Sequence, residues 1–173
     1  MSDVLTNLDD LDLPTALARA PLSSDTKLNM VEDWLMQNGG QFQDFGEELD
    51  CFKLTHTFLP GLYIREIFMP AGSVLTTKVH KVEHPFFVLQ GSASVYSEND
   101  GPQLVVAPHR GITHIGTRRL LVVHEDMVWI TVHPNLENIT DVEILDNMFT
   151  YHSQHTQMLG IEMKMKLLSE EQP

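Results

Sequence analysis

Between residues 51 and 133, hydrophobic positions recur in short runs rich in Val, Ile, Thr and Phe, with turn residues between them. Pro60-Gly61 and Pro70-Ala71-Gly72 are typical of such turns. The pattern predicts strands at 52–57, 62–68, 73–80, 85–90, 92–97, 103–107, 112–115, 119–124 and 127–133. So many short strands in about 80 residues indicate a β-sandwich or β-barrel.

On both sides of the strand region the hydrophobic pattern becomes helical. Residues 25–37 place Leu28, Val31 and Leu35 on one apolar stripe, which predicts an N-terminal helix. Thr140 and Glu143 have the spacing of a capping box, which predicts a second helix after the strands. A further amphipathic segment at 157–168 predicts a helix that packs on the barrel or on a second subunit.

These changes of pattern predict a mainly β chain with four parts. They are an N-terminal arm at 1–24, a helix and lead-in at 25–50, a barrel at 51–135 and a C-terminal helical extension at 136–173.

Composition narrows the class of protein. Apolar residues make up 42% of the chain, and no apolar run reaches the roughly 18 residues that a membrane helix needs. The acidic start, MSDVLTNLDD, lacks the pattern of a signal peptide. Cys51 is the single cysteine, which fits a reducing cytoplasm. The net charge of −13 disfavours a nucleic-acid partner, because phosphate backbones would be repelled.

Residues 72–91 resemble the first motif of the cupin superfamily, G-x5-H-x-H-x3-E-x6-G. Gly72 and Gly91 fit the two glycines without a gap. The three ligand positions, His, His and Glu in the motif, are occupied here by Lys78, His80 and His84. The resemblance implies a jelly-roll barrel in which the usual set of metal ligands is altered.

The second cupin motif, G-x5-P-x-G-x2-H-x3-N, fits in two registers. In the first, Pro108, Gly111 and His114 stand for the Pro, Gly and His of the motif, with one residue too many between Pro and Gly. In the second, Gly116 is the motif glycine and Arg119 takes the histidine position. We favour the second register, because the chain through Pro108 is needed for the strands and the hairpin that precede the motif.

Residues 54–145 are also similar to a group of small cupin-like proteins common in tailed bacteriophage genomes. The similarity lies in the stretches YIREIFMPAGSVL and GTRRLLVVHEDMVWITVHPN. It implies an architecture but no reaction. It also implies that the protein is located in the cytoplasm of a bacterial or phage-infected cell. Because cupins often pair, it also implies a homodimer, with the N-terminal arm and the C-terminal segment as expected contacts.

Strand alternation places His80 and His84 on the interior face of the expected barrel. Two facing imidazoles are good ligands for one divalent metal such as Zn, Fe, Mn or Ni. A third protein ligand is usual, and it would be His133, or His114 in the other register, with Glu83 a more distant choice. A metal-free polar barrel mouth is the alternative, and both remain open.

Lys78 and Arg119 occupy positions where metal ligands are expected, and a fixed positive charge there opposes a metal ion. The same charges favour a carboxylate or phosphate, to which Arg119 can donate paired hydrogen bonds. Trp129 is expected in the core, with stacking on a ligand as an alternative. Arg118 is expected to face outward and to pair with an acidic residue.

The sequence therefore predicts a cupin-like protein that binds a small anionic or sugar-like molecule inside its barrel, in an accessory role. A metal-dependent enzyme of the isomerase, epimerase or dioxygenase type is the alternative. It follows from family analogy alone, and one fold hosts many activities. Because cations fill two of the four ligand positions, we favour binding.

Overall fold

The computed structural model describes residues 24–37, 52–97 and 101–158 of the chain. Most of the predicted arm, Cys51 and nearly all of the predicted segment at 157–168 lie outside the described residues. Within them, no helix is long and apolar enough to cross a membrane.

Strands dominate the described residues, with a helix before them and a helix near their end. In chain order the elements are α1 (Ser24–Gln37), β1 (Lys53–Leu59), β2 (Gly61–Met69), β3 (Val74–Thr76), β4 (Val79–His80), β5 (His84–Ser97), β6 (Gly101–Val106), β7 (His109–Thr113), β8 (Arg119–Asn135), α2 (Val142–Phe149) and β9 (Thr150–Tyr151). Residues 154–158 add a short helical turn.

The long strand β8 organises the sheet. In the described part of the chain, seven strands form one sheet with the order β1-β2-β8-β5-β6, in which β3 also pairs with β8 and β7 with β5. Strands β4 and β9 form a separate two-stranded sheet. All of these pairings are antiparallel. The prediction of a mainly β, jelly-roll fold is confirmed.

Two pairs of predicted strands are continuous. The stretches 85–90 and 92–97 are both part of β5, and 119–124 and 127–133 are both part of β8. The register of β5 against β8 shifts at three places between Val88 and Ala93, as in a β-bulge. Gly91 lies there with φ +81°, and a Cβ at this position would lie 2.3 Å from the carbonyl oxygen of Asp126. The motif glycine therefore marks a bulge and a close backbone approach.

The barrel interior is filled by alternate side chains of β5 and β8. Phe86 and Val88 point inward from β5, and Met127 and Trp129 point inward from β8. All four are buried, at 7% exposed or less. Burial of this apolar surface supplies most of the drive for folding, and it leaves polar inward positions only near the end of the barrel.

Helix α1 covers the outside of the barrel next to β3. Leu28 and Val31 pack against Leu120, and Glu32 forms an ion pair with Arg118. Both charged side chains are almost fully buried, at 1% and 2% exposed. Arg118 therefore faces outward from the barrel and pairs with an acidic residue, as expected, but α1 covers this face and buries the pair.

Helix α2 closes the end of the barrel. Asp141 caps it, since its carboxylate accepts a hydrogen bond from the Ile144 N–H; the predicted capping box at Thr140 is one residue too early. Leu145 and Phe149 pack against Tyr63. This packing brings the last turn of α2, and β9 after it, next to the polar end of the barrel.

Candidate functional site

Three strands bring the predicted histidines together. Phe86 on β5 is paired with Thr131 on β8, and continuing this antiparallel register by two residues places His84 opposite His133. Their ring centroids are 4.2 Å apart, and the ring of His80, from β4, lies 4.8 Å from that of His84. We refer to His80, His84 and His133 as the histidine cluster.

The hydrogen bonds of the histidine cluster leave three nitrogens unused. The Nδ1–H of His84 donates to the Val82 carbonyl at 2.9 Å, so its Nε2 carries a lone pair. Nε2 of His133 lies 3.1 Å from the Thr131 hydroxyl. Among the described residues, Nδ1 of His80, Nε2 of His84 and Nδ1 of His133 are buried without a hydrogen-bond partner. Such atoms carry an energetic cost unless a ligand satisfies them.

Burial keeps the histidine cluster neutral. It lowers the pKa of His80 to about 2, an effect to which neighbouring His84 and Arg119 add. Burial likewise lowers the pKa of His133 to about 3. The pKa of His84 is also lowered by burial, against the opposing effect of its hydrogen bond to Val82. Neutral imidazoles accept hydrogen bonds and bind metals, whereas protonated ones do neither.

The donor chemistry of the histidine cluster suits a metal, but its arrangement does not. In the ranges that the structure describes, no group of three His, Cys, Asp or Glu side chains is placed so that it could hold a metal ion. The His84 ring packs at a tilt of 54° on His80 and of 42° on His133. The other candidate ligands, His114 and Glu83, pair with each other at 2.7 Å on the surface.

A cavity of about 120 Å³ lies beside the histidine cluster, inside the barrel. Three basic side chains line it, from β2, the β3–β4 link and β8: Arg65, Lys78 and Arg119. The apolar wall consists of Ile67, Met69, Leu75, Leu121 and Trp129, and the remaining polar lining of Thr77, His80, Thr113, Thr131 and Thr150. Among the described residues, no acidic side chain lines this cavity.

Arg119, predicted as a ligand-binding residue, is held in place from two sides. It is 9% exposed, and its Nη1 donates to the Thr113 hydroxyl at 3.1 Å. Its guanidinium lies 5.3 Å from the centre of the Phe86 ring, and a cation–π contact of this kind stabilises a desolvated charge. Trp129 stacks on Phe86, with the ring centroids 4.4 Å apart. Trp129 therefore belongs both to the core and to the cavity wall.

Lys78 lines the cavity, but a carboxylate that the sequence did not indicate compensates its charge. Its Nζ donates to Oδ2 of Asp146 on α2 at 2.6 Å, and Arg65 lies 3.9 Å from the other carboxylate oxygen. Burial raises the pKa of Asp146, but the hydrogen bond and charge of Lys78 outweigh it, so that this pKa is lowered overall. Asp146 is therefore ionised and lies between two cations.

Arg65 and Asp146 are the polar residues of this region that sequence reasoning missed. For Arg65 a signal existed: strand alternation in YIREIFM puts it on the same face as buried Tyr63 and Met69. No such signal existed for Asp146, because only the docking of α2 on the barrel brings it to Lys78.

Comparisons with known proteins find only distant structural similarity. No family model matches the chain, and no curated protein matches it. Similar solved structures, which are cupin-fold proteins, include KdgF from Halomonas sp., ectoine synthase from P. lautus and salicylate 1,2-dioxygenase from Pseudoaminobacter salicylatoxidans. Their identities are 16%, 14% and 14%, and their TM-scores 0.44, 0.48 and 0.45. The alignments cover 53%, 61% and 71% of this chain and 87%, 78% and 33% of theirs. We assign no activity from similarity at this level.

Proposed function

We propose that the protein binds a small organic anion, a carboxylate with an apolar body, in the barrel cavity. One observation carries the proposal: three basic side chains converge on a mostly apolar cavity, although the chain as a whole has a net charge of −13. In an acidic protein, cations gathered at a buried site indicate recognition of negative charge.

The lining assigns a role to each part of such a ligand. Arg119 and Arg65 would donate hydrogen bonds to the carboxylate, which a guanidinium can hold by two parallel bonds. Trp129 and Leu75 would contact the apolar body. The neutral ring of His80 would accept a hydrogen bond from a hydroxyl group of the ligand. At about 120 Å³, the cavity suits a molecule of few heavy atoms.

Calorimetric titration with short carboxylic acids and their neutral amides tests this proposal. We expect the acids to bind and the amides not to bind. Arg119→Met should weaken acid binding at least about tenfold, which corresponds to ~1.4 kcal/mol. Lys53→Met, which removes an exposed charge from β1, is the matched control and should leave acid binding unchanged. Equal binding of acids and amides would refute the role of charge.

A metal centre at the histidine cluster is the second candidate, and the three partnerless nitrogens of its rings favour it. The hydrogen bond from His84 to a backbone carbonyl is also the kind that orients metal-ligating histidines. The metal would be divalent, Zn, Fe, Mn or Ni, and the rings would have to turn toward a common centre. A bound metal would act there as a Lewis acid.

Metal analysis of protein purified without a histidine tag separates the two candidates. A stoichiometric metal that is lost in the double variant His80→Ala/His84→Ala, but kept in His114→Ala, would establish the metal centre. Trace metal after reconstitution with each of the four ions would exclude it and leave the anion site standing.

The proposal also includes an accessory role in the cytoplasm of a bacterial or phage-infected cell. A single cysteine and a strongly acidic composition support it, as does the resemblance of residues 54–145 to phage cupin-like proteins. Co-purification of the tagged chain with other phage proteins from infected cells is the corresponding test, and its absence from the cytoplasmic fraction would contradict the assignment.

We further propose that two copies pair through the outer face of β2, β8, β5 and β7. This face exposes apolar side chains, and the apolar contacts of α1 and α2 lie elsewhere. Its exposed or half-buried members are Leu62, Ile64, Phe87, Leu89, Ile112, Ile130 and Val132. Paired positions across the four strands form the row Glu66, Ile130, Phe87, Arg110.

The charges at the two ends of this row favour a second copy as the partner. A two-fold axis parallel to the strands, between β8 and β5, places Ile130 opposite Phe87 of the other copy and Glu66 opposite Arg110 of the other copy. The symmetry repeats each of these contacts with the two copies exchanged. Light scattering should give twice the chain mass of 19.6 kDa. Glu66→Lys should weaken the dimer, and Glu66→Lys combined with Arg110→Glu should restore it. A monomeric wild type, or no rescue, would contradict this arrangement.

A further inference from the structure

Asp146 is an acidic side chain supplied by α2 to an otherwise basic site. Its carboxylate accepts hydrogen bonds from Lys78 at 2.6 Å and from the Thr150 hydroxyl at 3.2 Å, and it lies 3.9 Å from Arg65. The Asp146 and Lys78 side chains are only 16% and 11% exposed. A buried ion pair with these extra contacts is rigid, and its charges are weakly screened by solvent.

The Asp146–Lys78 pair stands at the wall between two cavities. Lys78 and Thr150 line both the barrel cavity and a second cavity of about 190 Å³ beneath the end of α2. Asp146 lines only the second cavity, whereas Arg119 lines only the first. A ligand carboxylate in the barrel cavity would thus approach Lys78 from one side, while Asp146 contacts Lys78 from the other side.

We infer that Asp146 is a specificity-determining residue that sets the charge of the anion the cavity accepts, an inference that rests on the proposed anion-binding function. Among the described residues that line the two cavities, the fixed charges are three positive ones, from Arg65, Lys78 and Arg119, and one negative one, from Asp146. They leave a net charge of +2, since the neutral histidine cluster adds none. A dianion neutralises this net charge, whereas a monoanion neutralises only half of it. The site therefore prefers a dianion, and Asp146 limits how strong this preference becomes.

The inference makes a quantitative statement about Asp146→Asn. The amide keeps the shape of the side chain. Its oxygen can accept the hydrogen bond from Lys78, and its NH2 group can donate to the Thr150 hydroxyl. The net charge of the site rises to +3, and the repulsion between Asp146 and a bound carboxylate disappears. Because electrostatic energy is proportional to ligand charge, the variant should bind a monoanion about tenfold more tightly and a dianion about a hundredfold more tightly.

Calorimetric titration of the full, untagged chain with butyrate and succinate tests this inference, because the two have the same length and differ by one carboxylate. Wild type should prefer succinate, and Asp146→Asn should increase the ratio of the two affinities about tenfold. Glu143→Gln removes one charge from the exposed side of the same helix and should leave the ratio unchanged. A merely structural role of Asp146 would change both affinities by one common factor.

The possible outcomes separate the two proposals. If wild type binds these anions but Asp146→Asn leaves the affinity ratio unchanged or lowers it, the inference is wrong and the anion site stands. If neither protein binds either anion while both are folded by circular dichroism, the proposed function and the inference fail together. If Asp146→Asn does not fold, Asp146→Ser, with its smaller hydroxyl, replaces it in the same comparison.

Discussion

The neutral, buried histidine cluster should make the protein unstable in mildly acidic solution. The pKa values of His80 and His133 in the folded state are about 2 and about 3, whereas an unfolded histidine titrates near pH 6.5. As the pH falls below 6.5, the unfolded chain binds protons that the folded chain does not bind. Stability is therefore fully present above pH 6.5, and it is lost progressively as the pH falls toward the folded pKa values.

The size of this loss follows from the two shifts. At pH 5.5, one pH unit below the unfolded pKa, each of the two histidines costs about 1.4 kcal/mol of unfolding free energy, and together they cost about 2.8 kcal/mol. At pH 4.5 the loss is about 5 kcal/mol, which is comparable to the whole stability of many domains. Asp146 adds a loss of the same sign only at lower pH, because its pKa lies below the ordinary value of 3.8 in the folded chain and the unfolded carboxylate takes up protons only near that value.

Urea unfolding of chelator-treated protein, followed by tryptophan fluorescence at pH 7.5, 6.5 and 5.5, measures this effect. The double variant His80→Gln/His133→Gln should show a much flatter dependence on pH, whatever its absolute stability. His114→Gln changes a surface histidine and should keep the wild-type dependence. A wild-type unfolding free energy that is equal at pH 7.5 and 5.5 would refute the assignment of buried neutral histidines.

Two further changes probe the backbone of the fold by the same unfolding assay. Gly91→Ala should lower the free energy of unfolding by about 3 kcal/mol or more, because the alanine Cβ meets a backbone oxygen and φ is positive. Gly116→Ala, with a similar φ but open space around it, should lower it by only about 1 kcal/mol. Equal losses in the two variants would contradict the clash at Gly91. Asp141→Ala should lower the free energy of unfolding by about 1 kcal/mol, and Thr140→Ala should leave it almost unchanged. The reverse order would show that Thr140, and not Asp141, caps the helix.

The sequence was sufficient for the fold class because period-two alternation and the two motif glycines are local signals. In β5, His84, Phe86 and Val88 alternate inward as expected. The breaks between strands were predicted poorly, because Gly91 resembles a turn residue in sequence but forms a bulge inside a continuous strand. A bulge is defined by the register against the partner strand, and the sequence of one segment does not show that register.

Residues whose surroundings come from distant segments could not be predicted in the same way. Arg118 immediately precedes β8 and Arg119 is its first residue, so one points into the barrel and the other away from it. Both are nevertheless buried, since α1 covers the outer side and supplies Glu32, which precedes Arg118 by 86 positions in the chain. Strand alternation separates the two faces of a sheet, but it does not show which outer face a helix will cover.

The anion site should operate with fixed charges and without a histidine switch. A carboxylate bound near Arg119 would offset the positive charge of Arg119, which is one cause of the low pKa of His80. However, burial is the largest cause of that low pKa, ahead of the charges of neighbouring His84 and Arg119. A ligand that fills the cavity would also leave His80 more desolvated, which opposes protonation. The pKa of His80, about 2 in this structure, should therefore stay far below 7 when an anion binds.

Anion affinity should accordingly stay constant between pH 6.5 and 8. Over this range Arg65 and Arg119 keep their charge, Asp146 remains ionised, and His80 remains neutral. Calorimetric titration with succinate at both pH values, in two buffers of different ionisation enthalpy, measures affinity and proton uptake together. Uptake of about one proton per bound anion, with tighter binding at the lower pH, would show that His80 titrates in the complex and that charge outweighs burial at this site.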